Sequence, residues 1–182
     1  MNMENIIKNA CYQSINRTRT GDTEEEIKFI QKYLKSSKKI IIPTENLGKV
    51  KSINKVLRRM GLSEGEQLPI NTNIADLSRL PAISKAIMAI DQCQCDVVIA
   101  RGRLGVPGSG SLLVITDKLG RILTGATSPP HVVHGKDLRI VVAEETQEAL
   151  EKSFRVNSIA PLLLSQALLP KLKESSRNLE HI

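Results

Sequence analysis

Aromatic residues are nearly missing from this sequence: 182 residues hold two tyrosines, two phenylalanines and no tryptophan. Single-stranded nucleic acid is usually held by stacking its bases on exposed rings. Tyr12, Phe29, Tyr33 and Phe154 all fall in segments of helical periodicity, so no stacking platform is expected. A nucleic-acid partner is therefore disfavoured, although a duplex held by its phosphates stays open. Cysteine is scarce too. Cys11, Cys93 and Cys95 make an odd count without the density of a disulfide scaffold, and Cys93-Gln-Cys95 lacks the second pair of a zinc site. Free thiols in a reducing compartment are the expectation. No apolar run approaches the roughly 20 residues that cross a bilayer. The N-terminal MNMENIIKNACYQS lacks the basic-then-apolar order of a secretory signal. These absences predict a cytoplasmic protein with no membrane partner. Without internal repeats or low-complexity stretches, residues 1–182 read as a single nucleotide-binding α/β domain.

Positive charge is present in excess. The formal net charge is +7 and the isoelectric point about 9.5, so the surface favours anions, without choosing among nucleotides, phosphorylated metabolites and nucleic acid. Apolar spacing predicts a helix from Glu4 to Ile15 and a second one opened by a capping box, Thr23 with Glu26. Ile40-Ile-Ile42 before Pro43 reads as a strand covered on both faces, and a third helix follows from about Lys49 to the stop at Gly61. A polar connection carrying Pro69 leads to a helix over 81–91 and a second buried strand, Asp96 to Ala100. Leu112–Thr116 and Ile122–Thr127 form a hairpin about the turn at 117–120. Leu138–Ala143 reads as a further strand, with helices near 144–154 and 158–169. Strands alternating with helices around a hairpin predict an α/β fold, a mixed central β-sheet with helices on its faces.

Three constellations could carry chemistry. Thr44-Glu-Asn46-Leu-Gly48-Lys49 lies between a buried strand and a helix start, where N–H groups and the helix dipole favour an anion. Thr44 and Asn46 can donate hydrogen bonds and Lys49 a full charge; equally, Thr44 or Asn46 can simply cap the helix. In Arg101-Gly-Arg103-Leu-Gly105-Val-Pro-Gly108-Ser109-Gly110-Ser111, glycines free the backbone to turn amides toward an oxyanion, and two arginine forks match phosphate. This segment is neither a Walker loop nor a dinucleotide fingerprint. Ser128-Pro-Pro-His131-Val-Val-His134 follows the hairpin, and its histidines could serve an acceptor site, a base or a metal, or could stand on an ordinary surface loop.

The strand running into Thr44, Asn46 and Lys49 resembles the opening Thr-x-Asn-x-x-Lys phosphate grip of the inosine-triphosphate pyrophosphatase family. Where that family next supplies acidic residues for magnesium, this chain has Ala100-Arg101-Gly102-Arg103. Nearly the whole chain is similar, in the order Pro43-Thr-Glu-Asn-Leu-Gly-Lys49, Ala100–Ser111 and Ser128-Pro-Pro-His131, to the guanylyltransferase with which methanogens build the iron-guanylylpyridinol cofactor of mono-iron hydrogenase. The resemblance implies an inosine-triphosphate pyrophosphatase-like fold and a homodimer that joins the GMP moiety of GTP to a pyridinol hydroxyl, releasing pyrophosphate. On that reading Arg101, Arg103 and Lys49 carry catalysis. Thr44, Asn46, Gly48, Gly105, Gly108, Ser109, Gly110 and Ser111 bind nucleotide, and Ser128, His131 and His134 form an acceptor or base site. Mg2+ is expected with the nucleotide, its protein ligand open among Asp76, Asp96 and Asp117. The alternatives are a nucleoside-triphosphate pyrophosphatase and a non-catalytic nucleotide- or nucleic-acid-binding protein.

Overall fold

The computed structural model describes residues 2–70 and 80–154. Five strands form one mixed sheet: β1 (Ile40–Pro43), β2 (Gly65–Leu68), β3 (Val97–Arg103), β4 (Ser111–Asp117) and β5 (Ile122–Ser128), in the order β2-β1-β3-β4-β5. β1 runs parallel to β2 and β3, whereas β3, β4 and β5 are successively antiparallel. The period-2 geometry of strands sends neighbouring side chains to opposite faces. Ile40, Ile42, Val97, Ile99, Leu113 and Ile115 thus enter one core, and Ile41, Val98, Ala100 and Val114 the other.

The first core is closed by helices α2 (Glu24–Ser36), α3 (Leu47–Arg59) and α6 (Leu138–Phe154), through Leu34, Ile53, Leu57, Val142, Ala149 and Leu150. The second lies under α4 (Pro81–Gln92), whose Ala82, Ala86 and Ala89 let its backbone come close to the sheet. That closeness makes Gly102 obligatory, since a Cβ there would stand 2.5 Å from the Ala82 backbone nitrogen. Two further helices are α1 (Met3–Ile15) and the single turn α5 (His131–His134). Among the described residues no helix is long and apolar enough to cross a membrane.

The α/β class and the mixed sheet agree with the sequence, and three local expectations need correction. Leu138–Ala143 is the beginning of α6, not a strand: Asp137 carbonyl accepts from the amides of Ile140 and Val141 and starts the helix, leaving Leu138 and Ile140 exposed and Val141 and Val142 buried. The polar connection before Pro69 contains β2, an edge strand whose Gly65 amide and carbonyl are both bound by the Asn54 side chain. Strands β3 and β4 run on to Arg103 and back to Ser111, so the loop proper is only 104–110. The helix expected at 158–169 lies outside the described residues.

The capping box at α2 is present in full: Thr23 Oγ1 accepts from Glu26 N at 3.3 Å and Glu26 Oε2 from Thr23 N at 2.7 Å. Arg19 also pairs with the buried Glu26 carboxylate at 2.9 Å. Hydrogen bonding from Arg19, then from the Thr23 amide, holds that carboxyl below its ordinary value of 4.5. A carboxyl depressed on folding contributes stability that is complete above its unfolded value and is lost as pH falls through its folded value. The melting-temperature gap between wild type and Glu26→Gln should therefore be full at neutral pH and close progressively below about pH 4.5. A gap independent of pH would show that the Glu26 charge does not contribute. Thr23→Ala should cost about 1 kcal/mol.

Candidate functional site

All the loops that carry the three constellations emerge from one end of the sheet. β1 and β3 end there at Pro43 and Arg103, β4 begins there at Ser111, and β5 ends there at Ser128. The carboxyl ends of parallel strands are where open α/β sheets bind ligands. A cavity of about 460 Å³ opens at this end, and its wall includes Lys49, Lys85, Arg101, Arg103, Ser128 and Lys136. Gly108, Gly110, Ser111, His131 and His134 also line it. Among the described residues no aspartate or glutamate lines it. Five cationic side chains on one wall, of which Arg101 is paired with Glu145 and Lys136 with Glu144 at 2.8 Å, make an anion trap.

The expected residues separate into two groups. Lys49, Arg101, Arg103, Gly108, Gly110, Ser111, Ser128, His131 and His134 meet around the cavity, whereas Thr44, Asn46, Gly48, Gly105 and Ser109 do not line it. Thr44 is buried, and its Oγ1 accepts from Asn46 N at 3.2 Å. Asn46 is the N-cap of α3, its Oδ1 accepting from Lys49 N at 3.1 Å. These residues shape the start of α3, from which Lys49 reaches the cavity.

The loop at 104–110 is held by its own backbone: Leu104 N donates to Gly110 O at 3.1 Å, and Ser109 N to Val106 O at 3.2 Å. Gly105, Gly108 and Gly110 all have positive φ, the last +96°. A Cβ on Gly110 would lie 2.2 Å from the Ser128 carbonyl oxygen, while one on Gly108 meets nothing within 4 Å. Gly108→Ala should accordingly cost only the backbone strain of about 1–2 kcal/mol. Gly110→Ala should cost clearly more and displace the β4–β5 end that carries Ser128. Equal melting temperatures for the two variants would contradict the close approach.

Arg103 donates from Nε to Gly105 O at 2.9 Å, which ties the guanidinium to the loop. Arg101 is placed differently. Its fork engages Glu145, a carboxylate of this chain, through Nε, and its Nη2 donates to Ser111 Oγ at 2.6 Å. Glu145, only 2 % exposed, also accepts from the hydroxyls of Ser111 and Ser128, the latter at 2.5 Å. The carboxylate lacking at 100–103 is thus delivered by α6, already matched to an arginine. The burial of Arg101 has this partner as its explanation, since buried charges persist only when paired.

Sequence reading missed Glu145 and Lys85. Lys85 is 2 % exposed, lines the cavity and donates from Nζ to Arg101 O at 3.0 Å. Both stand on otherwise buried helical stripes, Lys85 among Ala82, Ala86 and Ala89, and Glu145 between Val142 and Ala149. A charged residue at such a position is a readable signal.

His131 and His134 sit on the one-turn α5, their rings 5.4 Å apart edge to face, and His134 Nδ1 accepts from Lys136 N at 3.0 Å. Among the described residues no group of three His, Cys, Asp or Glu could hold a metal ion. Asp96 and Asp117 belong to the opposite end of the sheet and serve its turns. Asp96 accepts from the amides of Lys38 and Lys39, first of all Lys39, which hold its carboxyl below the ordinary range. Asp117 binds the amides of Leu119 and Arg121 and the Arg121 guanidinium. Asp76 lies outside the described residues. Among the described residues the carboxylate at the site is already bound by Arg101 and two serines, so the residues present do not favour a resident magnesium there.

A larger cavity, about 710 Å³, lies at that opposite end, lined by Lys39, Cys93, Cys95, Asp96 and Lys118 among others. Its thiols are free, and burial pushes the Cys95 thiol up to about 11, so it stays protonated and unreactive. With Asp96 spent on backbone amides, the smaller cationic cavity is the better candidate.

In comparisons with known proteins, residues 3–153 match the family model described as "FeGP cofactor biosynthesis protein HcgB, guanylyltransferase". Among solved structures, protein VC0702 from Vibrio cholerae is similar at 14 % identity, over 70 % of this chain and 82 % of that one, with a TM-score of 0.41.

Proposed function

The chain belongs to the HcgB family of guanylyltransferases of FeGP cofactor biosynthesis, and on that premise we propose that it joins the GMP moiety of GTP to a pyridinol hydroxyl and releases pyrophosphate. The observation that carries this reading is the cavity wall of Lys49, Lys85, Arg101, Arg103 and Lys136, with no acidic residue among its described lining. Phosphoryl-type transfer asks chiefly for positioning and for charge stabilisation on the phosphate oxygens. In the proposed complex the triphosphate lies against Lys49, Lys85, Arg103 and Lys136 under the Gly108–Gly110 turn. Thr44, Asn46 and Gly48 act by building the helix start that presents Lys49, and Gly105 and Ser109 by shaping the loop. Arg101 acts through its pairing with Glu145 and Ser111. The acceptor enters on the side of Ser128, His131 and His134.

In the step itself the acceptor oxygen forms a bond to the α-phosphorus, and the bond to the bridging oxygen breaks with its electrons leaving on pyrophosphate. A pyridinol hydroxyl is far more acidic than an alcohol. Water, by contrast, needs a base or metal to become a good nucleophile, and the Glu145 carboxylate does not itself line the cavity but stands behind Ser128. Transfer is therefore favoured over the hydrolysis of a pyrophosphatase. Magnesium is proposed to arrive as part of the magnesium–GTP substrate. A cytoplasmic homodimer is proposed as the working form, with the exposed Val132 and Val133 of α5, 90 % and 70 % accessible, as apolar surface beside the cavity.

The test is pyrophosphate release with magnesium and each common nucleoside triphosphate, with and without a hydroxypyridine acceptor, the products identified by mass. The expected result is slow or no release without acceptor, and rapid release with GTP plus acceptor that places GMP covalently on the hydroxyl. Fast acceptor-independent formation of a monophosphate would make the protein a pyrophosphatase instead. Silence with every combination would leave a binding protein.

A further inference from the structure

Glu145, Ser128, Ser111 and Arg101 form a closed hydrogen-bond set whose directions can be worked out. A carboxylate only accepts, and a guanidinium only donates. Glu145 accepts from Arg101 Nε on Oε2, and on Oε1 from both serine hydroxyls, with Arg101 Nη2 at 3.4 Å. Ser111 Oγ already accepts from Arg101 Nη2 at 2.6 Å and is buried. Ser128 is the half-buried member, with its Oγ 2.7 Å from Ser111 Oγ and 2.5 Å from Glu145, and it lines the cavity. Its single proton points inward, to Glu145 or to Ser111 Oγ, which itself donates to Glu145. The lone pairs of its oxygen are therefore what it offers to a hydroxyl bound in the cavity.

We infer that Ser128 and Glu145 are the proton path for the acceptor hydroxyl, a role that rests on the transfer reaction proposed above. As the acceptor oxygen bonds to the α-phosphorus, its proton passes to Ser128 Oγ while the Ser128 proton moves to Glu145. The electrons of the broken phosphorus–oxygen bond leave with pyrophosphate, and the proton returns through Ser128 to solvent once the products depart. Arg101 and Ser111 are positioning residues that hold the Glu145 carboxylate toward Ser128. The path matters in proportion to how firmly the acceptor holds its proton. It therefore extends the enzyme to acceptors that are not ionised when they bind.

The test uses the full chain, magnesium–GTP and a series of hydroxypyridines of graded hydroxyl acidity, the most acidic of them ionised at the assay pH. Ser128→Ala should lower kcat by about a hundredfold for protonated acceptors, the scale of general-base assistance, and leave it within about twofold for the ionised one, with KM for GTP unchanged. Glu145→Gln, checked for folding by its melting temperature, should reproduce that slope. An active wild type whose Ser128→Ala variant shows the same loss, or none, across the whole series overturns the proton path alone. So does a slope produced by His131→Ala or His134→Ala in place of Ser128→Ala. Wild-type silence with every acceptor overturns the transfer reading, and the path with it.

Discussion

Glu145→Ala should destabilise the protein by about 3–5 kcal/mol, because removing one member of a buried ion pair strands the other. Arg101 would be left beneath the sheet end with its fork facing an alanine, and the hydroxyls of Ser111 and Ser128 would lose their shared acceptor. For a chain of this length that corresponds to a fall of roughly 10 °C in melting temperature. The double variant Arg101→Met/Glu145→Leu should recover most of the loss, since an apolar pair of similar volume has no desolvation cost to offset. Activity toward protonated acceptors should not return with it, for the carboxylate is absent in both. Urea unfolding of the two single variants, the double variant and wild type gives the coupling energy directly. A coupling near zero would mean that the pair is solvated and contributes nothing to the fold, and Arg101 would then be available to phosphate.

Segments whose environment repeats along the chain were legible from sequence. Ile40–Ile42 and Val97–Ala100 are apolar at every position because both sheet faces are covered, and a run of that kind has few other uses. The Thr23–Glu26 box was legible because capping is local chemistry. The start of α6 was not, since Ile140, Val141 and Val142 are β-branched, while Glu145, Thr146 and Ser153 interrupt the apolar stripe that would have marked a helix. β2 was hidden for the opposite reason: an edge strand of sequence GEQL needs little apolar surface. The site follows the same division. The glycine loop, Lys49 and the serine–histidine segment converge because each follows the same end of a strand, which the order of elements already implies. Glu145 and Lys85 reach Arg101 from helices 44 and 16 positions away, and nothing local to either residue says so. Only their charged character on a buried stripe could have pointed to them. Likewise Asp96 and Asp117 are ordinary turn carboxylates, and only the direction of β3 and β4 separates them from the cavity.

Arg103→Ala is expected to reduce kcat/KM by a hundredfold or more with the melting temperature nearly unchanged. Arg103 lines the cavity, and its Nε donates to the Gly105 carbonyl at 2.9 Å, which fixes the guanidinium against the loop that closes on the phosphates. Such a group is preorganised: it reaches its position on folding, so no reorganisation is needed when charge develops on the leaving pyrophosphate. Removing one preorganised donor typically costs about 2.7–4 kcal/mol in the transition state, which corresponds to roughly a hundred- to a thousandfold in rate. The stability cost is small because what is lost is a partly exposed side chain at the rim of a loop, outside both cores. Arg103→Lys separates charge from geometry, since a lysine restores the charge but lacks the Nε donor to Gly105 and the planar fork. It should recover part of the nucleotide affinity and little of kcat. Steady-state kinetics with magnesium–GTP and a hydroxypyridine, alongside thermal melts of both variants, decide the matter. Wild-type kcat/KM in a well-folded Arg103→Ala would move the phosphates away from the 104–110 loop and onto Lys49, Lys85 and Lys136.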